Sequence, residues 1–169
     1  MMTRRFQQLY VKAHTEEDLY SDRRIIKSFP EIVSKSHLSY WCPGDKIREK
    51  GHRMLVGVAP GWDYLDIELL DGLDNALSQE RYSDYQIDVF DISVCKRMED
   101  LKKYIPDLEN AYHTPWVGLW KNGIFQKAIW GYDGRMFLAE LFGFADNCKD
   151  IFLEMERVPL WLSTSVFLF

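Results

Sequence analysis

The sequence predicts an α/β protein, and two observations support this fold class. Two runs rich in β-branched and aromatic residues, 116–120 and 124–130, flank Asn122-Gly123, which is the strongest short signal for a β-hairpin. Upstream of this hairpin, apolar strand-like runs alternate with stretches of helical spacing. The predicted order is therefore strand, helix, strand, helix, strand, strand, helix.

The first strand and helix are predicted within residues 54–77. Residues 54–58 form a short apolar strand, which Ala59-Pro60-Gly61 ends. A helix follows, because apolar residues recur at helical spacing; they are Leu65, Leu69, Leu73, Ala76 and Leu77. Its acidic residues are expected mostly on the opposite side of the helix; they are Asp66, Glu68, Asp71 and Asp74.

The remaining elements follow the same patterns. Residues 85–92 alternate between apolar and polar positions and predict a second strand. A second helix is marked at 98–105 and ends at Pro106, since proline breaks a helix interior. After the hairpin, a last helix is predicted at 136–141, following Gly134.

In combination, these features resemble the thioredoxin-like superfamily over residues 54–145. The motifs that carry the resemblance are the Ala59-Pro60 turn, an aspartate-bearing second strand, Thr114-Pro115, Lys121-Asn122-Gly123 and Gly131. The resemblance implies a thioredoxin-like fold, in which a central mixed sheet is flanked by helices. It divides the chain into an N-terminal arm with one or two helices (1–53), a thioredoxin-like domain (54–145) and a C-terminal extension with an apolar tail (146–169).

The resemblance does not extend to thiol chemistry. In this family the Ala-Pro turn leads into a Cys-x-x-Cys pair, whose first thiolate is the nucleophile. Laid on the Ala59-Pro60 turn, the two cysteine positions are Trp62 and Leu65. Dithiol exchange needs both sulfurs, so we predict no disulfide oxidoreductase activity and no catalytic residues at this loop.

The same loop offers candidates for protein interaction. Trp62 is either an exposed interface anchor with Tyr64 beside it or a ring packed against Pro115, and both alternatives stay open. Asp63 is interpreted as a helix cap. Pro115 resembles the family's cis-proline, and a role in shaping the turn is favoured over substrate binding.

The cysteines and histidines form no recognisable site. The three cysteines are an odd number without a CxxC pair, which argues against a disulfide framework. Cys42 lies in a Trp-Cys-Pro-Gly-Asp motif that we interpret as a turn of the arm, and Cys95 as a small apolar residue. No histidine has metal-ligand spacing, and no nucleotide-binding motif is found, so the sequence predicts no metal and no cofactor.

Charge limits the class of partner. The chain carries a net charge of −5, with 11 basic and 7 acidic residues in 1–53 and 10 basic and 19 acidic residues in 54–169. An acidic body is a poor match for phosphate backbones, so we expect no nucleic-acid partner. No apolar run reaches the roughly 18 residues that cross a bilayer, so no transmembrane segment is expected.

Both ends of the chain are candidates for contact with other protein subunits. Phe6 and Leu9 lie on the apolar side of a basic amphipathic helix that resembles a mitochondrial presequence; targeting and docking both stay open. The tail at 158–169 is mostly apolar and includes Trp161, Phe167 and Phe169. An apolar tail of this kind aggregates unless it is buried, on its own domain or on a partner.

These observations predict a redox-inactive thioredoxin-like accessory or structural subunit of a larger multiprotein complex. A mitochondrial location is preferred, with the cytoplasm as the alternative. Two other functions are alternatives to this subunit role. One is a monothiol oxidoreductase that uses Cys42 or Cys95, and the other is a chaperone or adaptor that holds extended peptides through Trp62 and Pro115.

Overall fold

A computed structural model describes residues 4–15, 29–42, 44–47, 49–61, 64–80, 84–92, 102 and 113–144. The helices are α1 (Arg5–Thr15), α2 (described at residues 29–34), α3 (Tyr64–Ser78) and α4 (Gly131–Phe142). The strands are β1 (Ser39–Tyr40), β2 (His52–Val58), β3 (Tyr85–Asp91), β4 (Trp116–Lys121) and β5 (Ile124–Trp130).

The five strands form one mixed sheet in the order β1-β3-β2-β4-β5. The pairs β1 with β3 and β3 with β2 are parallel, whereas β4 is antiparallel to β2 and β5 is antiparallel to β4. The predicted α/β class is confirmed at this level. Of the second predicted helix, only Lys102 is described, and it is helical.

The β4–β5 hairpin forms where the sequence predicts it. Asn122 has φ +51° and Gly123 has φ +77°, and two successive positive φ values are the requirement of a type I′ turn. A register shift between Leu119 and Trp120 interrupts the ladder. The hairpin therefore follows from local turn chemistry, which is the most predictable kind of structure in this chain.

One face of the sheet carries the main core, which helices α1, α3 and α4 cover. The core joins strand residues such as Val56, Val89 and Val117 to Leu70 and Phe142 of the helices. Residues of the arm belong to this same core; they are Phe6, Phe29, Val33 and Leu38. The described residues of 1–53 and of 54–145 thus share one hydrophobic interior.

The opposite face of the sheet carries an aromatic cluster. Trp41, Phe90, Trp116 and Trp120 are buried there, and neighbouring rings meet edge to face with centroids 5.3 to 6.3 Å apart, as aromatic pairs prefer. A Cβ on Gly118 would lie 2.3 Å from the Trp116 ring. Glycine at this position lets the two tryptophan rings lie across the strand.

Two elements differ from the sequence prediction. Strand β1 forms the outer strand of the sheet beside β3. It is two residues long and follows a polar stretch, so the sequence pattern does not predict it. Helix α4 begins at Gly131 rather than after Gly134. Gly134 lies inside the helix, where a Cβ would be 3.2 Å from the carbonyl oxygens of Ile129 and Pro115. Glycine avoids this tight contact where the helix approaches the hairpin closely.

The acidic residues of α3 are more buried than the amphipathic pattern of the helix suggests. Asp66, Asp71 and Asp74 are buried, and Glu68 is half-buried. Hydrogen bonds and ion pairs offset the cost of burying these carboxylates, and they connect α3 to four other segments: the loop after β2, α4, α1 and the segment after α2. These contacts are part of the site described next.

Candidate functional site

The candidate site lies at the end of the sheet where β2 ends and β4 begins. This end of the two interior strands is called the candidate edge below. Pro60 and Gly61 follow β2 and are buried, and Pro115 precedes β4. The Thr114–Pro115 peptide bond is cis. The Pro115 carbonyl accepts a hydrogen bond of 3.0 Å from the Gly131 N–H, which ties the start of β4 to the start of α4.

His113 and Gly131 form the outer part of this edge. His113 is exposed, and a Cβ on Gly131 would approach the His113 Cβ to 3.2 Å. Gly131 also has φ +62°, a conformation that other residues adopt at a cost. Glycine at position 131 therefore allows the turn from β5 into α4. It also allows the close approach of His113.

Beneath the loop after β2, Asp66 connects three elements. Its Oδ2 accepts a hydrogen bond of 2.9 Å from the Ala59 N–H, and its Oδ1 lies 3.7 Å from the Arg135 Nη1 of α4. Both side chains are buried. A buried carboxylate beside a buried guanidinium connects the loop, α3 and α4, and removing either partner removes a favourable charge contact from the interior.

The residues predicted for this edge differ in their exposure and in their contacts. Tyr64 begins α3, is 40% exposed, and meets the Tyr10 ring edge-on with centroids 5.3 Å apart. Leu65, at the second cysteine position, is half-buried in α3. Trp62 lies outside the described residues, so its exposure and its contact with Pro115 stay predictions.

The predicted interaction residues of the two termini have different outcomes. Phe6 is buried in the core of this chain, and Leu9 is half-buried on the same helix. In this structure the arm uses Phe6 for an intramolecular contact. The predicted residues of the C-terminal tail lie outside the described part of the chain; they are Trp161, Phe167 and Phe169. Cys95, the second candidate thiol, also lies outside it.

Sequence analysis missed the anchor of the arm, which is formed by Asp71 and Asp74 of α3. The two Asp71 oxygens accept hydrogen bonds from the Phe6 N–H at 2.9 Å and the Gln7 N–H at 3.0 Å. Asp74 pairs with Arg5, whose Nε lies 3.4 Å from Oδ2. The sequence did hold a signal, because helical spacing puts Asp71 and Asp74 on the same side as Ile67 and Leu70.

Burial changes the protonation of this anchor. Loss of solvent raises the pKa of Asp71 to about 6, because desolvation disfavours the charged carboxylate. The backbone N–H groups of Phe6 and Gln7 lower this pKa, but they do not outweigh the burial. Asp71 therefore titrates close to neutrality.

Cys42 lies away from the cis-proline. It is exposed and follows β1, whereas Pro115 precedes β4. Three strand spacings separate these strands in the sheet, which corresponds to about 14 Å. The turn that contains Cys42 is stabilised by Asp45, whose Oδ2 accepts a hydrogen bond of 3.1 Å from the Cys42 N–H. The structure does not bring this thiol beside the candidate site.

The described ranges offer neither a metal centre nor a membrane-spanning helix. No group of histidine, cysteine and acidic residues there could hold a metal ion. No helix in those ranges is long and apolar enough to cross a bilayer. No protein-family model matches the chain, and no curated protein matches it either.

Proposed function

We propose that this chain is a redox-inactive thioredoxin-like protein that serves as an accessory or structural subunit of a larger protein complex. One observation carries the proposal. The turn after β2 and the proline segment before β4 meet at one sheet edge, as a thioredoxin-like site would require, but Leu65 stands at the second thiol position and Trp62 at the first.

The topology supports the thioredoxin-like part of this proposal. The minimal fold of the family joins a parallel strand–helix–strand unit to a hairpin followed by a helix. Here β2, α3 and β3 form the parallel unit, and β4, β5 and α4 form the second. A hydrogen bond from the Gly131 N–H to the Pro115 carbonyl connects the two ends of the β4–β5 hairpin.

The surface chemistry supports protein binding over catalysis. In the described part of this edge, the exposed groups are the Tyr64 phenol ring and the His113 imidazole. A tyrosine at an interface contributes large contact area at low entropic cost, and exposed aromatic residues are common anchors. Other protein subunits are the proposed partners, and a mitochondrial location stays a prediction for targeting experiments.

The redox half of the proposal is tested by restoring the missing thiols. The wild-type chain should not reduce insulin disulfides, and the Cys42→Ser variant should behave in the same way. The double variant Trp62→Cys/Leu65→Cys should form an internal disulfide on oxidation, because a thioredoxin-like turn holds these positions within bonding distance. Trp62→Ser/Leu65→Ser is the matched control.

Two outcomes would contradict this half of the proposal. Wild-type reductase activity that disappears in Cys42→Ser would favour the monothiol enzyme instead. Failure of the folded double variant to form its disulfide, measured by thiol counting, would remove the thioredoxin-like assignment of the loop.

The accessory-subunit half is tested by native purification of the tagged full chain. We expect it to elute with defined protein partners at a mass well above 20.0 kDa. Tyr64→Ala should weaken this association if the candidate edge is used, and Glu140→Ala on the exposed side of α4 is the control. A chain that remains a stable monomer in native extract would contradict the proposal.

A further inference from the structure

Strand β5 leaves an open edge on the described sheet. It runs from Ile124 to Trp130 and pairs only with β4 among the described strands. The outer strand on the other side, β1, has two residues, whereas β5 has seven. The backbone N–H and C=O groups of β5 that point away from β4 therefore form a pairing surface for a further strand.

Both faces of β5 carry apolar side chains that are only partly covered. Ile129 packs at the margin of the main core. Phe125, Ala128 and Trp130 pack at the margin of the aromatic cluster. All four are half-buried, and Ile124 is 67% exposed. A strand that covers them therefore needs apolar residues on both of its own faces.

The tail at 158–169 has this pattern in its sequence. It contains no charged residue, and it includes the uninterrupted apolar run Val166-Phe167-Leu168-Phe169. Successive side chains of a strand point to opposite faces, so this run, when extended, presents an aromatic pair to one face and an aliphatic pair to the other. Short continuous apolar runs are typical of strands buried on both faces.

The chain is long enough for the tail to return to β5. Helix α4 begins at Gly131, directly after β5, and its 12 residues carry the chain about 18 Å along the helix axis. The 21 residues 145–165 connect the described part of the chain to the apolar run. In extended form a segment of this length spans up to about 69 Å, so the return needs only part of it.

Charge favours the chain's own tail over a second copy of β5. Lys127 is exposed and lies at the midpoint of β5, so two antiparallel β5 strands in full register would bring their Lys127 side chains opposite each other. Like charges directly opposite are destabilising, whereas the tail brings no charge. The tail is also tethered, which raises its effective concentration at β5 above that of a separate chain.

We propose that the apolar run 166–169 adds to the outer side of β5 as a sixth strand of the sheet. The added strand covers the half-buried side chains on both faces of β5. It also buries an apolar segment that promotes aggregation when it is exposed. An occupied edge is closed to strand addition by another protein.

Cysteine trapping in the full chain tests this pairing. In a background whose three native cysteines are replaced by serine, Lys127→Cys is combined with Val166→Cys or with Phe167→Cys. Adjacent tail positions face opposite sides of a strand, so one of the two shares the face of residue 127. We expect oxidation or a short thiol-reactive cross-linker to join that pair within a single chain, because neighbouring strands lie about 4.8 Å apart.

The trapping experiment has a matched control and two contradicting results. Glu140→Cys, on the exposed side of α4, replaces Lys127→Cys in the control and should leave the tail unlinked. A covalent dimer on a denaturing gel would overturn the proposal in favour of a second copy at β5. Absence of any link at position 127 in folded variants would overturn it as well.

Amide hydrogen exchange gives a second reading that needs no cysteine. Val166→Pro/Phe167→Pro removes two successive N–H donors, and proline cannot donate to a ladder. The β5 amides that point away from β4 should exchange at least about tenfold faster in this variant than in the wild-type chain. Val166→Thr/Phe167→Tyr keeps both donors and should preserve wild-type protection. Equal exchange in the wild-type chain and the proline variant would contradict the sixth strand.

Discussion

The β4–β5 hairpin and the interface between α1 and α3 are built in opposite ways. The hairpin depends on neighbours in sequence, since Asn122 and Gly123 supply the positive φ values of the turn. The α1–α3 interface depends on residues that are distant in sequence. Asp71 accepts hydrogen bonds from the backbone of Phe6, 65 positions away, and of Gln7, 64 positions away. Local chemistry can be recognised in a sequence, whereas a carboxylate that serves a distant helix looks like an ordinary surface acid.

The largest effect is expected from Phe6→Ala, which tests whether the arm is part of the core. Phe6 is fully buried, and removal of a buried phenylalanine side chain costs about 4 kcal/mol through lost burial and a residual cavity. Urea unfolding measures the change. Gln8→Ala on the exposed side of the same helix should change stability by less than about 0.5 kcal/mol.

Equal effects of Phe6→Ala and Gln8→Ala would show that α1 contributes no more to stability than a surface segment. Such a result would also remove the basis for treating 1–53 and 54–145 as sharing one interior.

A somewhat smaller effect is expected from Asp66→Asn. The amide can still accept the Ala59 N–H, but the buried Arg135 loses the negative charge that lies 3.7 Å from its Nη1, at a cost of about 3 kcal/mol. Thermal or urea unfolding gives the value. Asp133→Asn, an exposed aspartate on α4, should be nearly neutral, and a neutral Asp66→Asn would show that the buried pair is not needed.

The smallest effect is expected in the hairpin. Gly123 has φ +77°, and an alanine in this left-handed region costs about 1 kcal/mol. The change is confined to the turn, so Gly123→Ala should lower the unfolding midpoint without altering the slope of the denaturant curve. Lys127→Ala, exposed on β5, is the control. A stabilising Gly123→Ala would contradict the turn geometry.

The sequence allowed prediction of elements whose signals are local. Strand β2, helix α3 and the hairpin were recognised from apolar spacing and turn residues, close to their observed bounds. Strand β1 was missed because two residues, Ser39 and Tyr40, pair only with β3, and a pairing so short leaves no pattern.

The candidate site was predictable only in part. Thr114-Pro115 and Gly131 were recognised through their motif, and they do meet through a hydrogen bond. The burial of Asp66, Asp71 and Asp74 was not predicted, because helix amphipathicity assigns acidic residues to solvent unless their partners are known. Those partners, Arg135 and the N-terminus of α1, are distant in sequence and come close only in the folded chain.

The N-terminal arm is held on the domain by the buried Phe6 and by carboxylates of α3. A double-mutant cycle of Arg5→Ala and Asp74→Ala in urea unfolding tests it most directly, since the ion pair joins the two segments at 3.4 Å. We predict a coupling free energy of about 1 kcal/mol. A coupling indistinguishable from zero, with both single variants folded, would contradict the account.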